Sequence, residues 1–379
     1  MWQIFKNFFS LGWVSFGGPA AHLGYFQRHF VTKLGWLDQA RYAQLVALSQ
    51  FLPGPGSSQV GFAIGYQRAG LLGGLTAFIA FTLPSFAIMV AIAALNVGLT
   101  DNAWYQGVIH GLKLFAVVVV ADAVLTMAGQ FWKQRFGLIV GTTTAVIMLV
   151  SPGIETQLLV LVAAALVGFQ QPVSSSVEST TASASPQWWA LILFTVLFIG
   201  LPWISDSNHW LGIFGEFYQA GSLVFGGGHV VLPLLQEGLA DQVTSDTFLL
   251  GYASAQAVPG PMFTIATFLG YELGADLPIV GALVATLAIF LPGFLLMIGL
   301  IHYWQALASR PRLAGTIAAV NAAVVGLLLS AWYAPVFVSS VFEAQDFAVA
   351  IIGFVLLRQL KVSVLWLVPG FALLGAAVG

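Results

Sequence analysis

The stretch FLPGPGSSQVGF, residues 51–62, places two prolines and two glycines in four consecutive positions of a very apolar chain. A second stretch, AVPGPMFTIATF at residues 257–268, repeats the same Pro-Gly-Pro interruption. Proline inside a helix removes a backbone donor and clashes with the preceding turn, so each tripeptide predicts a helix break. Two identical breaks at distant positions indicate that the breaks have a structural purpose.

The composition predicts a membrane protein. Of 379 residues, 59% are hydrophobic and only 7% are charged, and the mean hydropathy is +0.93. A soluble globular protein has about 25% charged residues. Apolar runs at 71–95, 277–302 and 314–333 reach the length of about 20 residues that a helix needs to cross a bilayer core. We therefore expect an all-α polytopic fold in a lipid bilayer.

The sequence is written twice. A polar Ser/Thr/Ala linker at 170–187 separates an N-terminal repeat, 1–169, from a C-terminal part, 188–379, whose first segment, 188–204, is a connecting helix. Five motifs recur in the same order at an offset between 205 and 209 residues. The matched pairs are 12–18 with 221–227, 50–55 with 256–261, 65–66 with 270–271, 83–86 with 291–294, and 113–118 with 321–326.

Charges in the loops indicate that the two halves have opposite orientations. Where loops of the first half carry basic residues, the matching loops of the second half carry acidic ones, and no Lys or Arg occurs from 136 to 309. Because Lys- and Arg-rich loops stay in the cytoplasm, the second half is predicted to be inserted upside down. Such inverted-topology repeats are typical of secondary transporters. The charges are Arg28, Lys33, Arg41, Arg68, Lys133 and Arg135 against Glu237, Asp241, Asp246, Glu272, Asp276, Glu343 and Asp346.

This pattern predicts roughly nine full spans and four re-entrant hairpins, that is, ten to thirteen hydrophobic elements. Each hairpin starts and ends on the same side of the membrane, and the connecting helix supplies the odd crossing that inverts the second half. The predicted hairpins are 4–30, 42–67, 211–235 and 249–271. The predicted spans are 71–95, 104–130, 136–150, 156–169, 188–204, 278–302, 314–333, 346–358 and 363–378.

The Pro-Gly-Pro breaks are the first candidates for binding. A half-helix that starts at membrane depth exposes free N–H groups and the positive end of its dipole, which suit an anion. The alternative is that the prolines and glycines only make a kink or a close helix contact. Each break is preceded by a glutamine and followed by hydroxyls or amides, including Gln59. The predicted binding residues are Gln50, Pro53, Gly54, Gly56, Ser57 and Ser58 in the first half and Gln256, Gly260 and Thr264 in the second.

The Phe-Gly-Gly turns of the two repeats are the second set of candidates. Glycine lets a backbone approach a ligand closely, and a histidine follows each turn. For both histidines a structural hydrogen bond is the alternative role. Pseudo-symmetry predicts that the two turns and the two Pro-Gly-Pro breaks meet and enclose one site. The residues are Gly17, Gly18 and His22 with Gly226, Gly227 and His229.

Ionisable residues inside a membrane tend to be functional because a charge costs at least about 2.5 kcal/mol there. Lys113 lies near the centre of its predicted span, where it suits an anion, and the matching position holds Asn321. Asp122 lies nine residues further on, which is the opposite face of a helix, so pairing with Lys113 is not expected. Asp122 is a candidate for proton coupling or for a pair with another helix.

Several classes of function are not expected. The net charge of −2 argues against a nucleic-acid partner, and the absence of cysteine excludes disulfides and thiolate ligands. Six histidines without ligand spacing predict no metal site. No phosphate-binding loop, nucleophile elbow or zinc-protease motif occurs, so we expect neither an enzyme nor a cofactor. An ion gradient, exchange or the membrane potential would then drive transport.

The chain resembles the chromate ion transporter family over nearly its whole length. The resemblance implies a bacterial inner-membrane, multi-pass protein that exports chromate, and the family also contains paired short proteins that each resemble one half. Sulfate, a similar tetrahedral dianion, stays open as a substrate, as do a channel mode and a homodimer. Gly293 in place of Ser85 and Val258 in place of leucine are small departures. The matching motifs are Ser15–Pro19 with His22, Gln50–Pro55, Gly65-Tyr66 and Leu83–Phe86, then Phe225–His229 with Pro233, Gln256–Pro261, Gly270-Tyr271 and Val320–Leu327.

Overall fold

The computed structural model describes residues 1–99, 103–171, 185–205, 208–225, 228–304 and 310–378. Within these ranges the regular structure is entirely helical, so the predicted all-α class is confirmed. The linker prediction at 170–187 falls mostly outside the described residues, as do Gly226 and Gly227.

The described part of the first half contains seven α-helices, and residues 27–33 continue α2 as a π-helix. The helices are α1 (Trp2–Val14), α2 (Gly18–Phe26), α3 (Gln39–Phe51), α4 (Gly56–Leu99), α5 (Ala103–Phe131), α6 (Arg135–Val150) and α7 (Ile154–Phe169).

Nine α-helices lie in the described part of the second half, with 3-10 turns at 228–230 and 262–264 and a π-helix at 332–337. They are α8 (Trp188–Ile204), α9 (His209–Leu223), α10 (Val231–Gly238), α11 (Ser245–Ala257), α12 (Ile265–Leu273), α13 (Pro278–Leu300), α14 (Pro311–Ala331), α15 (Ala344–Arg358) and α16 (Val364–Val378).

The helix breaks fall where the sequence predicts them. Among the described residues, the chain leaves the α-helical conformation at 15–17, 52–55 and 258–261, inside three of the predicted hairpins. In the other predicted hairpin, α9 ends at Leu223. Helix α4 has non-helical backbone at Ala69 and at Gly70, whose φ is 62°, and this kink separates the second predicted hairpin from the first predicted span. The kink falls at Gly70 because glycine, which has no Cβ, adopts a positive φ without strain.

Among the described residues, four helical stretches are long and apolar enough to cross a bilayer, namely 56–96, 104–131, 278–300 and 311–337. Five further apolar helices have 10 to 17 residues. The lengths and compositions are those of a polytopic membrane protein. The count of nine spans and the inverted repeat stay predictions.

The chain forms two compact units that do not coincide with the two halves. The first unit combines residues 1–91, 174–231 and 258–311, and the second combines 92–173, 232–257 and 312–379. Each unit therefore contains helices from both halves of the sequence.

Helix α13 lies at the centre of the first unit, packed against α8, α9 and α12. Its aromatic side chains pack against those of α4: the rings of Phe62 and Phe294 stack with centroids 4.5 Å apart, and those of Phe78 and Phe290 are tilted, with centroids 5.0 Å apart. Close backbone contacts occur at glycines that match in the two repeats. At Gly12 the helices approach so closely that a Cβ would lie 2.6 Å from the carbonyl oxygen of Phe81. Its counterpart, Gly221, meets the carbonyl oxygen of Ile289.

In the second unit, helix α5 crosses α16 at glycines. Gly107 of α5 meets the backbone of Gly375, and the site of a Cβ on Gly111 overlaps the carbonyl oxygen of Phe371. Since the numbering rises along α5 while it falls along α16, these two helices are antiparallel. Helices α7 and α14 repeat this crossing at Gly168 and Gly315. The second crossing thus lies at the offset of the sequence repeat, because 315 − 107 = 208 and 375 − 168 = 207.

Among the described residues of the second unit, two ion pairs and one histidine–carboxylate pair attach α5 to its neighbours. His110 lies 2.8 Å from Asp346 at the start of α15, and Asp122 lies 2.6 Å from Arg358 at its end. Helices α5 and α15 are therefore parallel. Of the two roles considered for Asp122, the structure shows the pair with another helix.

The third pair joins Lys113 to Asp246 at the first turn of α11, with 2.7 Å between Nζ and Oδ1. The Lys113 ammonium also lies 5.5 Å from the ring centroid of Phe342. The Lys113 side chain is 7% exposed, whereas that of Asp246 is 54% exposed. The buried Lys113 ammonium thus relies on the Asp246 carboxylate for charge compensation, whereas Asp246 is also solvated by water.

Substitution of Gly111 by alanine should separate α5 from α16, because the added methyl group overlaps the carbonyl oxygen of Phe371. We expect a loss of about 1–3 kcal/mol in the free energy of unfolding, seen as a lower melting temperature of the purified protein in detergent. Gly129→Ala is the control on the same helix, since a Cβ there meets nothing within 4 Å. Equal melting temperatures for the two variants would contradict this packing.

The Lys113–Asp246 pair should respond unequally to loss of either partner. Asp246→Asn leaves a buried ammonium without its carboxylate, whereas Lys113→Met leaves a carboxylate that water can solvate. We expect Asp246→Asn to be the more destabilising change, by about 1–3 kcal/mol, in thermal melts. The double variant should regain most of that loss. A double variant that melts no higher than Asp246→Asn would argue against a direct pair.

Candidate functional site

Two backbone hydrogen bonds connect the broken helices of the first unit across the two halves of the sequence. The N–H of Gly54, in the first Pro-Gly-Pro loop, donates to the carbonyl oxygen of Val224 at 2.7 Å. The N–H of Gly260, in the second loop, donates to the carbonyl oxygen of Ser15 at 2.9 Å. Each Pro-Gly-Pro loop is thereby joined to the residues that precede the Phe-Gly-Gly turn of the other half.

The two central glycines have the same unusual backbone conformation. The φ angle is +115° at Gly54 and +103° at Gly260, a region that residues with a Cβ rarely adopt. A Cβ on Gly54 would lie 3.1 Å from the Cα of Gly293, and one on Gly260 would lie 2.8 Å from Ser85 Oγ. Positions 85 and 293 are counterparts in the sequence repeat. The first loop therefore packs against α13 of the second half, and the second loop packs against α4 of the first half.

His22 connects the first turn to the first loop. Its side chain is fully buried, with Nε2 3.1 Å from the Ser15 carbonyl oxygen and Nδ1 3.2 Å from Ser57 Oγ. Because a carbonyl oxygen only accepts, Nε2 carries the proton and a neutral ring accepts at Nδ1 from the Ser57 hydroxyl. His22 therefore has the structural hydrogen bond considered as its alternative role. The Ser15 oxygen accepts from both His22 and Gly260.

The first turn of α4 is rich in hydrogen-bond donors. The helix starts at Gly56, and its first backbone bond runs from the N–H of Gln59 to the Pro55 oxygen at 2.9 Å. The N–H groups of residues 56–58 have no partner within the helix, as is general at an N-terminus. Among the described residues, the Ser58 hydroxyl is a buried group without a partner, while that of Ser57 is engaged by His22.

Gln59 was not among the predicted binding residues, although it directly follows the two serines. Its side chain is completely buried, and Nε2 donates to the carbonyl oxygens of Pro53 at 2.8 Å and Gly293 at 3.3 Å. It therefore attaches the first loop to helix α13. An amide so close to a helix break is the sequence signal that could have singled it out.

The second loop has a different chemistry from the first. Residues 262–264 form a 3-10 turn, and the Thr264 hydroxyl donates to the Pro261 oxygen at 2.8 Å. His229 is half-buried. The Thr264 hydroxyl is thus hydrogen-bonded within its own loop, although Thr264 follows the second Pro-Gly-Pro break as the sequence repeat predicts.

Gln50 and Gln256, the glutamines that precede the loops, are not equivalent. Gln50 is exposed at the end of α3. Gln256 is half-buried and shares a side-chain hydrogen bond with Tyr252, one turn earlier on α11.

The predicted candidates divide between the two units. The first unit brings together the loops and His22, and it also contains Gly17 and Gly18, which have φ of 93° and 75°. The second unit contains Lys113, Asp122, Gln256 and Asn321. Asn321 is buried, and its Oδ1 has no partner among the described residues.

The donors of the α4 turn are neutral and converge on one helix end. Hydroxyl and backbone N–H groups at the positive end of a helix dipole bind anions without requiring a fixed positive charge. The arrangement is therefore suited to a small oxyanion.

Comparison with known proteins gives the same direction. The family model described as chromate transporter matches residues 2–169 and 211–376. The chain is 30% identical over 344 residues to a probable chromate transport protein of Synechococcus elongatus, covering 87% of this chain and 83% of that protein. It is 29% identical over 385 residues to the chromate transport protein of Cupriavidus metallidurans, covering 98% and 92%.

A chromate transport protein of Pseudomonas aeruginosa is 28% identical over 344 residues, which cover 86% of this chain and 79% of that protein. No solved structure matches the chain. The family model matches both halves and leaves out the linker and connecting helix, 170–210, and a few residues at the two ends. The chain therefore belongs to the chromate transporter family.

Proposed function

We propose that the chain is a secondary transporter that exports chromate across the bacterial inner membrane. The observation that carries this proposal is the pair of crossed loops in the first unit, with the uncapped start of α4 beside one of them. Membership of the chromate transporter family supports the choice of substrate. The two halves act as an inverted repeat in this scheme.

The proposed anion ligands are the N–H groups of residues 56–58 and the hydroxyl of Ser58. A dianion that leaves water needs a dense set of donors, since its desolvation costs several kcal/mol even after relaxation. Ser58 is 4% exposed, and its hydroxyl has no hydrogen-bond partner among the described groups. Ser57 is a positioning residue in this proposal, because its proton goes to His22.

Lys113 is not a direct ligand in this proposal. Asp246 holds its ammonium at 2.7 Å.

Helix directions in the second unit support the inverted topology. The predicted order of spans requires α5 to run parallel to α15 and antiparallel to α16. The ion pairs of α5 with α15 and the glycine crossing of α5 with α16 have these directions. Helices α6 and α14 should be parallel, and Gly137 lies beside Ala322 while Gly141 meets Gly326, as that requires.

The membrane potential can contribute to export. Moving a dianion out of a cell that is negative inside is favoured by about 2.3 kcal/mol per charge per 100 mV, or about 4.6 kcal/mol in total.

A sulfate permease or exchanger is the second candidate function. Chromate and sulfate are tetrahedral dianions, and the neutral donors of α4 respond to charge and shape. Competition of unlabelled chromate and other oxyanions with radiolabelled sulfate uptake into proteoliposomes ranks the two substrates. A carrier should also show counterflow, whereas a channel conducts without saturable exchange.

Chromate and sulfate should raise the melting temperature of the purified protein, and Ser58→Ala should weaken chromate binding about tenfold because one donor to a charged ligand is lost. The measurement is the shift in melting temperature against anion concentration. Ser340→Ala is the control, since that buried hydroxyl donates to the Val336 oxygen of its own turn. A wild-type protein that neither anion stabilises would contradict the dianion proposal.

The inverted topology predicts which loops face the cytoplasm. Single cysteines at Arg68 and Arg310 should react with a membrane-impermeant thiol reagent only in inside-out vesicles, and a cysteine at Asp276 only in right-side-out vesicles. The three positions are exposed, and the chain has no native cysteine to interfere. Labelling of positions 68 and 276 from the same side would exclude the inversion.

A further inference from the structure

His22 lies between the proposed anion site and the loop of the other half. Its Nδ1 is 3.2 Å from Ser57 Oγ, in the first turn of α4, and its Nε2 is 3.1 Å from the Ser15 carbonyl oxygen. That oxygen also accepts from the N–H of Gly260 at 2.9 Å. One imidazole ring therefore connects the proposed anion-binding turn to the second Pro-Gly-Pro loop.

The hydrogen bonds of His22 define which protons are present in the structure. A carbonyl oxygen only accepts, so Nε2 donates to Ser15, and the Ser57 hydroxyl donates its single proton to Nδ1. The proposed ligand groups lie on the same turn, because Ser58 follows Ser57 and the N–H groups of residues 56–58 have no partner within the helix. The Ser57 proton thus belongs to this turn but is directed toward His22.

A bound dianion and His22 compete for the Ser57 proton. If the hydroxyl turns toward an anion oxygen, Nδ1 loses its donor, and a fully buried acceptor without a hydrogen bond is unfavourable. A proton that Nδ1 takes up from solvent removes this conflict. Nδ1–H then donates to Ser57 Oγ, Nε2–H still donates to Ser15, and the Ser57 hydroxyl donates to the anion. Each of these polar groups keeps a partner.

The surroundings of His22 contain no counterion for a charged ring. Its two hydrogen-bond partners are neutral, and its ring lies edge-on to Phe81 with centroids 5.4 Å apart. Asp38 is the only carboxylate among residues 1–99, and it caps the start of α3. A buried charge without a counterion is costly, whereas a nearby anion favours the protonated ring. We therefore expect His22 to become charged together with a bound anion and not alone.

The ionisable groups on the elements around His22 have partners or surroundings of their own. The Tyr42 hydroxyl of α3 donates to the Leu23 carbonyl oxygen at 2.6 Å, and the second Pro-Gly-Pro loop, 258–261, contributes no ionisable residue. Among the described residues, neither these groups nor the following ones form a hydrogen bond or an ion pair with His22. They are Lys6 and Lys33, which are exposed, Arg28 over the Tyr25 ring, Arg41 with Gln44, Tyr66 with Gln187, Arg68 over the Trp36 ring, and His29 with Asn7.

We propose that His22 binds a proton when a tetrahedral dianion binds at the first turn of α4, so that anion and proton occupy the site together. The proton comes from solvent, and only N–H and O–H bonds change. Because anion binding takes up a proton, the anion binds more tightly as the pH falls. The ligand in this inference rests on the proposed function, and the linkage to His22 goes beyond it.

Proton uptake on anion binding tests this inference. Sulfate and selenate are the main probes because both stay doubly charged near neutral pH, and chromate is the third, with its own protonation subtracted. Binding to the purified full-length protein in detergent is measured by titration calorimetry in buffers that differ in ionisation enthalpy. We expect uptake of about one proton per bound anion, and an affinity that rises by up to about tenfold for each pH unit of acidification.

Two substitutions assign the proton. His22→Gln retains a donor and an acceptor but cannot take up a proton, so we expect anion binding without uptake and with an affinity that does not change with pH. Ser57→Ala removes the hydroxyl between His22 and the anion and should lower the uptake. His29→Gln is the matched control, since this half-buried histidine pairs with Asn7 at 2.7 Å, and it should keep the full uptake.

Anion binding without proton uptake in the wild type overturns the inference and leaves the proposed function intact. Full uptake in His22→Gln also overturns it, because another group then takes the proton. The melting temperature of that variant separates lost linkage from lost fold. Should it not fold, unchanged uptake in Ser57→Ala contradicts the inference in its place. If the wild type binds none of the three anions, the proposed function is contradicted and the inference falls with it.

Discussion

The fold depends on one constraint: a backbone N–H or C=O that lies within a bilayer must find a partner inside the protein. Each Pro-Gly-Pro break frees such groups, and the structure satisfies one N–H of each loop across the two halves. Gly54 donates to Val224 and Gly260 donates to Ser15, so neither half completes its own loop. The close packing of positions 85 and 293 on these glycines follows from the same arrangement.

The sequence was sufficient for the positions of the helices and of their breaks. Hydropathy placed a helix at 188–204, which are the bounds observed, and one at 104–130, where the structure has 103–131. These predictions succeed because apolar length and the missing N–H of proline are local properties. The repeat offset also predicted that the loops and turns would meet, and the crossed hydrogen bonds join them in pairs.

Pairing between distant side chains was beyond such reasoning. Lys113 was expected to face an anion, yet Asp246 lies against it, and nothing local to position 113 identifies a partner 133 residues away. The roles of Ser57 and Ser58 differ because only one of them reaches His22. Gln50 is exposed, since its spacing from the first proline does not fix which face of α3 it occupies.

The exchange of hydrogen bonds between the halves also bears on how the protein is made. The ribosome completes the first half before Val224 is synthesised. The Gly54 N–H and the glycine face of α5 therefore enter the membrane before their final partners, Val224 and α16, are present. A first half released into lipid at that stage would carry unpaired backbone at its core. Assembly therefore has to wait for the second half, and any factor that shields nascent membrane segments would have most to do in that interval.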